Sequence, residues 1–104
     1  MEGEWAYARQ EELRRSYQEA LLLGRLLIAQ GRPAEVAEAY RRAISHDRFL
    51  EEAHRGFMRS QAAMGKRGRA LSHYAKLVWI LKDELGSSPA PETISLHESL
   101  RSAE

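Results

Sequence analysis

Arg25, Arg55 and Arg59 are the residues of this chain whose type could hold a ligand in a defined way. A guanidinium is a planar fork of donors that meets carboxylate or phosphate oxygens two at a time. Three of them around one hollow would suit an acidic peptide segment or a nucleotide phosphate. The plainer reading makes them solvated charges paired with Glu52 or other nearby acids, worth little energy. Other chemistry is poorly provided for. The 104 residues contain no cysteine, which excludes disulfides, thiolate metal ligands and a cysteine nucleophile. His46, His54, His73 and His97 have no i, i+4 pairing and no acidic run at metal-ligand spacing, and read as structural or solvated. There is no glycine-rich phosphate loop, nucleophile elbow or convergent carboxylate pair. The expectation is a protein that is not an enzyme and uses no cofactor or metal.

Charge and composition narrow the partners. Sixteen Lys and Arg against fifteen Asp and Glu leave a formal charge of +1, too weak a field to argue for nucleic acid. The basic turn of Lys66, Arg67 and Arg69 reads as a solvated loop. With 43% hydrophobic and 30% charged residues, the chain fits a single folded helical domain over residues 1–104. Residues 1–20 lack the apolar core of a secretory signal, and the densest apolar stretch, residues 21–29, is broken by Gly24 and Arg25. A cytoplasmic protein is expected, with no direct contact to nucleic acid or membrane.

The elements that must position the arginines follow from hydrophobic periodicity. A first helix over about 4–30 carries Leu13, Ala20, Leu23 and Leu27 on one face and Tyr17, Leu21 and Ile28 on an adjoining one, an apolar arc wide enough to need cover on two sides. Gly31 ends it in a left-handed cap, and Pro33 opens the second helix, about 33–46, where a missing N–H costs nothing. Its stripe is Val36, Ala39 or Tyr40, Ala43 and Ile44. Asp47 reads as the N-cap of a third helix over about 49–64, closed by Gly65. A fourth, about 68–85, presents Ala70, Leu71, Tyr74, Leu77, Val78, Leu81 and Leu85 within a narrow arc and stops at Gly86. After the Ser87-Ser88-Pro89-Ala90-Pro91 connector, a short helix over about 92–101 offers Ile94, Leu96 and Leu100 as a seal.

These helices repeat. At a shift of 34 residues Gly31 meets Gly65, Tyr40 meets Tyr74, Leu23 meets Phe57 and Ile44 meets Val78. That period marks an all-α solenoid of helical hairpins, each unable to bury its apolar face without a stacked neighbour. Ala20, Leu23, Gly24, Leu27, Val36 and Tyr40, then His54, Phe57, Met58, Gln61, Ala70 and Tyr74, resemble the tetratricopeptide pattern in two repeats, with the last helix as a cap. The anchor tryptophan and closing proline of that pattern are absent.

From Trp5 onward the chain more closely resembles the bacterial transcriptional activator domain of antibiotic-regulatory (SARP-type) activators. The carriers are Trp5, Arg9 and Leu13, the run from Glu51 to Met58, Met64-Gly65-Lys66-Arg67, Ala70-Leu71-Ser72-His73-Tyr74, and the stop Leu81-Lys82-Asp83-Glu84-Leu85-Gly86-Ser87-Ser88-Pro89. Trp79 departs from the family, which is usually polar or aliphatic there. The resemblance implies a domain that follows a winged-helix DNA-binding domain and serves self-association or contacts with transcription machinery. No winged helix lies in these 104 residues, which leaves a portion of a longer regulator or a stand-alone module.

In tetratricopeptide units the first helix of each pair lines a concave groove. Projected here, that face is Gln18, Leu21, Arg25 and Ile28, then Glu52, Arg55, Arg59 and Ala62. Trp79, about 140° from Tyr74 on the helical wheel, is either an exposed anchor beside Ile80 or covered by the last helix. Trp5 and Tyr7 pose the same alternative at the other end. The expected function is protein–protein contact, self-association as a homodimer foremost. The alternative is a sensor that holds a phosphorylated effector between Arg25, Arg55 and Arg59.

Overall fold

The computed structural model describes residues 11, 12, 15, 19 and 22–103. Helical residues 22–29, here α1, are followed by α2 (Pro33–His46), α3 (Glu51–Ala63), α4 (Arg67–Ile80) with a wider final turn Leu81–Leu85, and α5 (Pro91–Ser102). Among the described residues there is no strand. The fold is an all-α helical repeat, as its periodicity requires.

The repeat is visible in the hydrogen bonds. Gly31 and Gly65 take the left-handed conformation at φ +76° and +75°, where a side chain would strain the backbone. Arg32 N–H donates to the Leu27 carbonyl and Lys66 N–H to that of Gln61, both at 2.8 Å, while Gly31 and Gly65 donate to Ile28 and Ala62 at 3.0 Å. Each pair closes its helix in the same two-bond cap. Both ends of α4 lie 34 residues after those of α2. Tyr40 and Tyr74 therefore hold equivalent places, each facing the first helix of the next layer: Tyr40 presses on Gly56 of α3, and Tyr74 stacks on His97 of α5 with ring centroids 3.8 Å apart.

Val36, Tyr40 and Ala53 form the core between α2 and α3, with Leu27, Ile28, Ala43, Ile44, Leu50 and Phe57 packed around it. Tyr40 is the buried member of the Ala39 or Tyr40 alternative. Farther along, Met58, Ala70, Leu77 and Leu81 are buried in the second layer. The turn before α3 is tied to the end of α4 by a 2.5 Å ion pair between Arg48 and Glu84.

Polar side chains also span the layers. His54, 1% exposed, places Nε2 2.8 Å from the Arg48 carbonyl and Nδ1 2.7 Å from Nε2 of His73. A carbonyl only accepts, so Nε2 of His54 carries the hydrogen and neutral His54 must accept at Nδ1. The shared proton therefore belongs to His73 Nε2. The histidines are structural, as expected, though no spacing rule pairs residues 54 and 73.

Four expectations need correction. Asp47 is not the N-cap of α3: its Oδ1 accepts from Phe49 N–H at 3.0 Å in a local turn, and α3 begins two residues late, after Leu50. The fourth helix is not regular to residue 85. Ser87 N–H reaches the Leu81 carbonyl and Gly86 N–H that of Lys82, one residue wider than the two glycine caps above, and Leu85 turns outward, 54% exposed. The seal by α5 is made less by Ile94, 40% exposed, than by fully buried Thr93. Thr93 Oγ1 donates to Glu51 at 2.9 Å and accepts from Arg55 at 2.8 Å, and the same Glu51 oxygen accepts Ala90 N–H. Finally, Leu23, expected on the packing face of α1, is 57% exposed.

Candidate functional site

The three arginines lie on α1 and α3. Arg25 projects from α1, while Arg55 and Arg59 lie half-buried one turn apart on α3. Burial, and then the nearby charges of Arg25 and Arg55, hold the Arg59 pKa below the ordinary guanidinium value. It remains a cation at neutral pH. Among the described residues neither Arg25 nor Arg59 forms an ion pair, with Glu52 or any other acid. Arg55 is anchored at one nitrogen by the Thr93 hydroxyl. Arg25 and Arg59 stand one repeat apart, so stacking of the two hairpins is what sets them on adjacent helices.

The rest of the projected groove divides. Glu52 is half-buried and lines the apolar cleft described below. Ile28 packs against the core cluster rather than lining an open channel. Ala62, half-buried, lies in the last turn of α3, where its carbonyl accepts Gly65 N–H. Gln18 and Leu21 lie outside the described residues, as do Trp5 and Tyr7.

The apolar stripe of α2 places Tyr40 in the core. The Tyr40 ring runs from α2 between two glycines. A methyl group on Gly56 would collide with its ring carbons, and one on Gly24 would come within 2.9 Å of its hydroxyl. Burial raises the Tyr40 pKa, an effect opposed by the positive charges of Arg59 and Arg25 and reinforced by Glu52. Its approach to Gly24 places the hydroxyl beside α1, at the residue before Arg25. Among the described residues the buried side-chain atoms without a partner are Gln61 Oε1 and His97 Nδ1, not the Tyr40 hydroxyl. The glycines at positions 24 and 56 were the available sequence signal, since adjacent helices that both lack a side chain leave room for a ring between them.

Two apolar surfaces remain open. On α1, Leu22, Leu23 and Leu26 are 61%, 57% and 60% exposed. They adjoin a cleft of about 110 Å³ lined by Leu23, Leu27, Ala39, Ala43 and Leu50 among others. Trp79 on α4 is 65% exposed, so it is not covered by α5. Shallow hollows flank it, one bounded by Ala75, Lys76 and Ile80, the other by Ala75, Val78, Lys82 and Asp83. Ile80 itself is half-buried.

Among the described residues no group of histidine and acidic side chains could hold a metal ion, and no helix is long and apolar enough to cross a membrane. A family model described as "Bacterial transcriptional activator domain" matches residues 1–101. No curated protein and no solved structure matches the chain. The matched family is one of transcription-regulator domains and not a family of enzymes.

Proposed function

We infer the role of this chain from its family: it belongs to the bacterial transcriptional activator domains, and we propose that it serves as the protein-contact and self-association module of a cytoplasmic transcription regulator. The observation that carries this reading is the leucine face of α1. Three large aliphatic side chains, each more than half exposed and continuous with an apolar cleft, form the kind of patch that marks an association surface. A second copy brings the same leucines to a two-fold contact, which needs a self-complementary patch and nothing else. Six leucines at about 1–2 kcal/mol each on burial, set against the cost of bringing two bodies together, support a dimer of roughly micromolar affinity.

Mechanism follows from tethering. Two modules held together would place attached DNA-reading domains at neighbouring half-sites, raising their effective concentration without any new base contact. Sedimentation of the chain over a range of concentrations tests the proposal. A monomer–dimer equilibrium is expected for the wild type. It should vanish in the Leu22→Asp, Leu26→Asp double variant while the helical circular dichroism is retained. A wild-type chain that stays monomeric at every concentration would remove self-association from the reading.

A further inference from the structure

We propose that the cleft between α2 and α4 docks a short acidic segment of a partner protein, its cations taking carboxylates and Phe57 an apolar side chain. The cleft uses none of the leucines of the α1 face. It is a second contact surface, beyond the self-association proposed above, and stands or falls apart from it.

The first support is a shared cavity. A cleft of about 470 Å³ is lined by Arg41 and Ile44 of α2, Phe57 of α3, and Arg69, His73 and Lys76 of α4. The Arg41 guanidinium lies 5.6 Å from the centre of the Phe57 ring, and the His73 ring lies 4.6 Å from it. Arg69, Ser72, His73 and Lys76 stand at i, i+3, i+4 and i+7, which is one face of α4. From Arg69 to Lys76 the helix rises about 10 Å, the length of about three extended residues.

The second support is charge of one sign. Among the described residues no carboxylate lines the cleft, and exposed Arg69 and Lys76 form no ion pair. Arg41 has Glu38 at 3.6 Å, both side chains more than half exposed, a pairing of little energy. Three cations less that one acid leave a local surplus of two positive charges, on a chain whose whole formal charge is +1. A segment rich in carboxylates is its electrostatic complement.

The third support is what selects a peptide. Ile44 and Phe57, half-buried and packed on the core, give the cleft an apolar base that a bare anion leaves unused. His73 adds an acceptor. Its Nε2 hydrogen goes to His54, so Nδ1 keeps a lone pair, which bonds to no described residue and is not sealed in the interior. An acidic peptide brings carboxylates, an apolar side chain and backbone N–H donors together, whereas a DNA backbone brings anionic oxygens and no donor.

The test titrates the full chain with the acetylated, amidated peptide Glu-Asp-Phe-Asp-Glu, following backbone amide resonances at constant ionic strength. Binding at about 0.1–1 mM is expected, with the amides of Arg41, Phe57, Ser72 and His73 moving. Alanine in place of the peptide's phenylalanine should weaken it about tenfold, and amides in place of its acids should abolish binding. The Arg69→Gln, Lys76→Gln pair removes two exposed cations and should weaken the peptide at least about tenfold. Ser72→Phe, which fills the cleft from an exposed position, should abolish binding, and both variants should retain the wild-type thermal midpoint. The Leu22→Asp, Leu26→Asp chain should bind the peptide as the wild type does, which separates the cleft from the dimer contact. Four results would overturn the proposal: no shift of these amides with the acidic peptide, equal affinity for the alanine peptide, wild-type affinity in the folded Arg69→Gln, Lys76→Gln chain, or tighter binding of a deoxythymidine pentanucleotide at the same residues.

Discussion

Two imidazoles share one hydrogen in the contact between α3 and α4, and this arrangement sets how the protein responds to acid. His73 Nε2 donates to His54 Nδ1; were both rings protonated, two N–H groups would face each other across 2.7 Å. Burial, then the proximity of His54 and of Lys76, lowers the His73 pKa to about 4. His54 is lowered as well, by burial, against the pull of the Arg48 carbonyl and of Glu51 and Asp47. An unfolded histidine titrates near 6.5, so the unfolded chain takes up protons that the folded one refuses as pH drops. The contribution is therefore complete above pH 6.5 and is lost as pH falls from there toward 4. After allowance for the partly solvated position of His73, the loss is about 1–2 kcal/mol. Urea unfolding at pH 7.5 and pH 5 should show this drop, reduced in His73→Phe, and the imidazole resonances of His73 should titrate near pH 4. Both imidazoles titrating above pH 6 would contradict the shared-hydrogen geometry.

The helices differ in what their glycines do, and alanine substitutions separate the cases. Replacing a glycine inside a helix by alanine ordinarily stabilises by up to about 1 kcal/mol, through a stiffer unfolded chain. Gly68, in the first turn of α4, has nothing within 4 Å of where a Cβ would stand, so Gly68→Ala should show that full gain in chemical denaturation. Gly56 has the Tyr40 ring at that place. The added methyl must displace a buried ring, and Gly56→Ala should cost about 2–3 kcal/mol net of the propensity gain. Equal effects at the two positions would mean that Tyr40 does not hold its slot. The same contrast separates what could be read in advance. The 34-residue spacing of Gly31 and Gly65 fixes the hairpins, because a left-handed cap and the apolar period are local properties of a few residues. The bounds of α2 are legible to the residue for that reason. The Thr93–Glu51–Arg55 bridge and the His54–His73 bond join residues 19 to 42 positions apart, and no local pattern announces them. Arg25 and Arg59 could be set on equivalent helices in advance because the repeat carries one position to the other. Tyr40 was hidden because a stripe of apolar residues conceals where one hydroxyl points.

At the scale of the whole molecule, the apolar face of α1 and unpaired arginines lie on one small body of formal charge +1, and salt distinguishes which of them brings copies together. Contacts between leucines are driven by water release and carry no Coulomb energy for ions to screen. A pairing through Arg25 and Arg59 against acids of a second copy would weaken as the screening length shrinks from about 10 Å at 0.1 M salt to about 3 Å at 1 M. The proposed dimer should therefore keep its dissociation constant within about twofold from 0.1 to 1 M sodium chloride, as measured by sedimentation equilibrium. Its association heat should carry the negative heat-capacity change of apolar burial. If the dimer weakened steeply over that range, the interface would run through Arg25 and Arg59 and the leucines of α1 would need another partner.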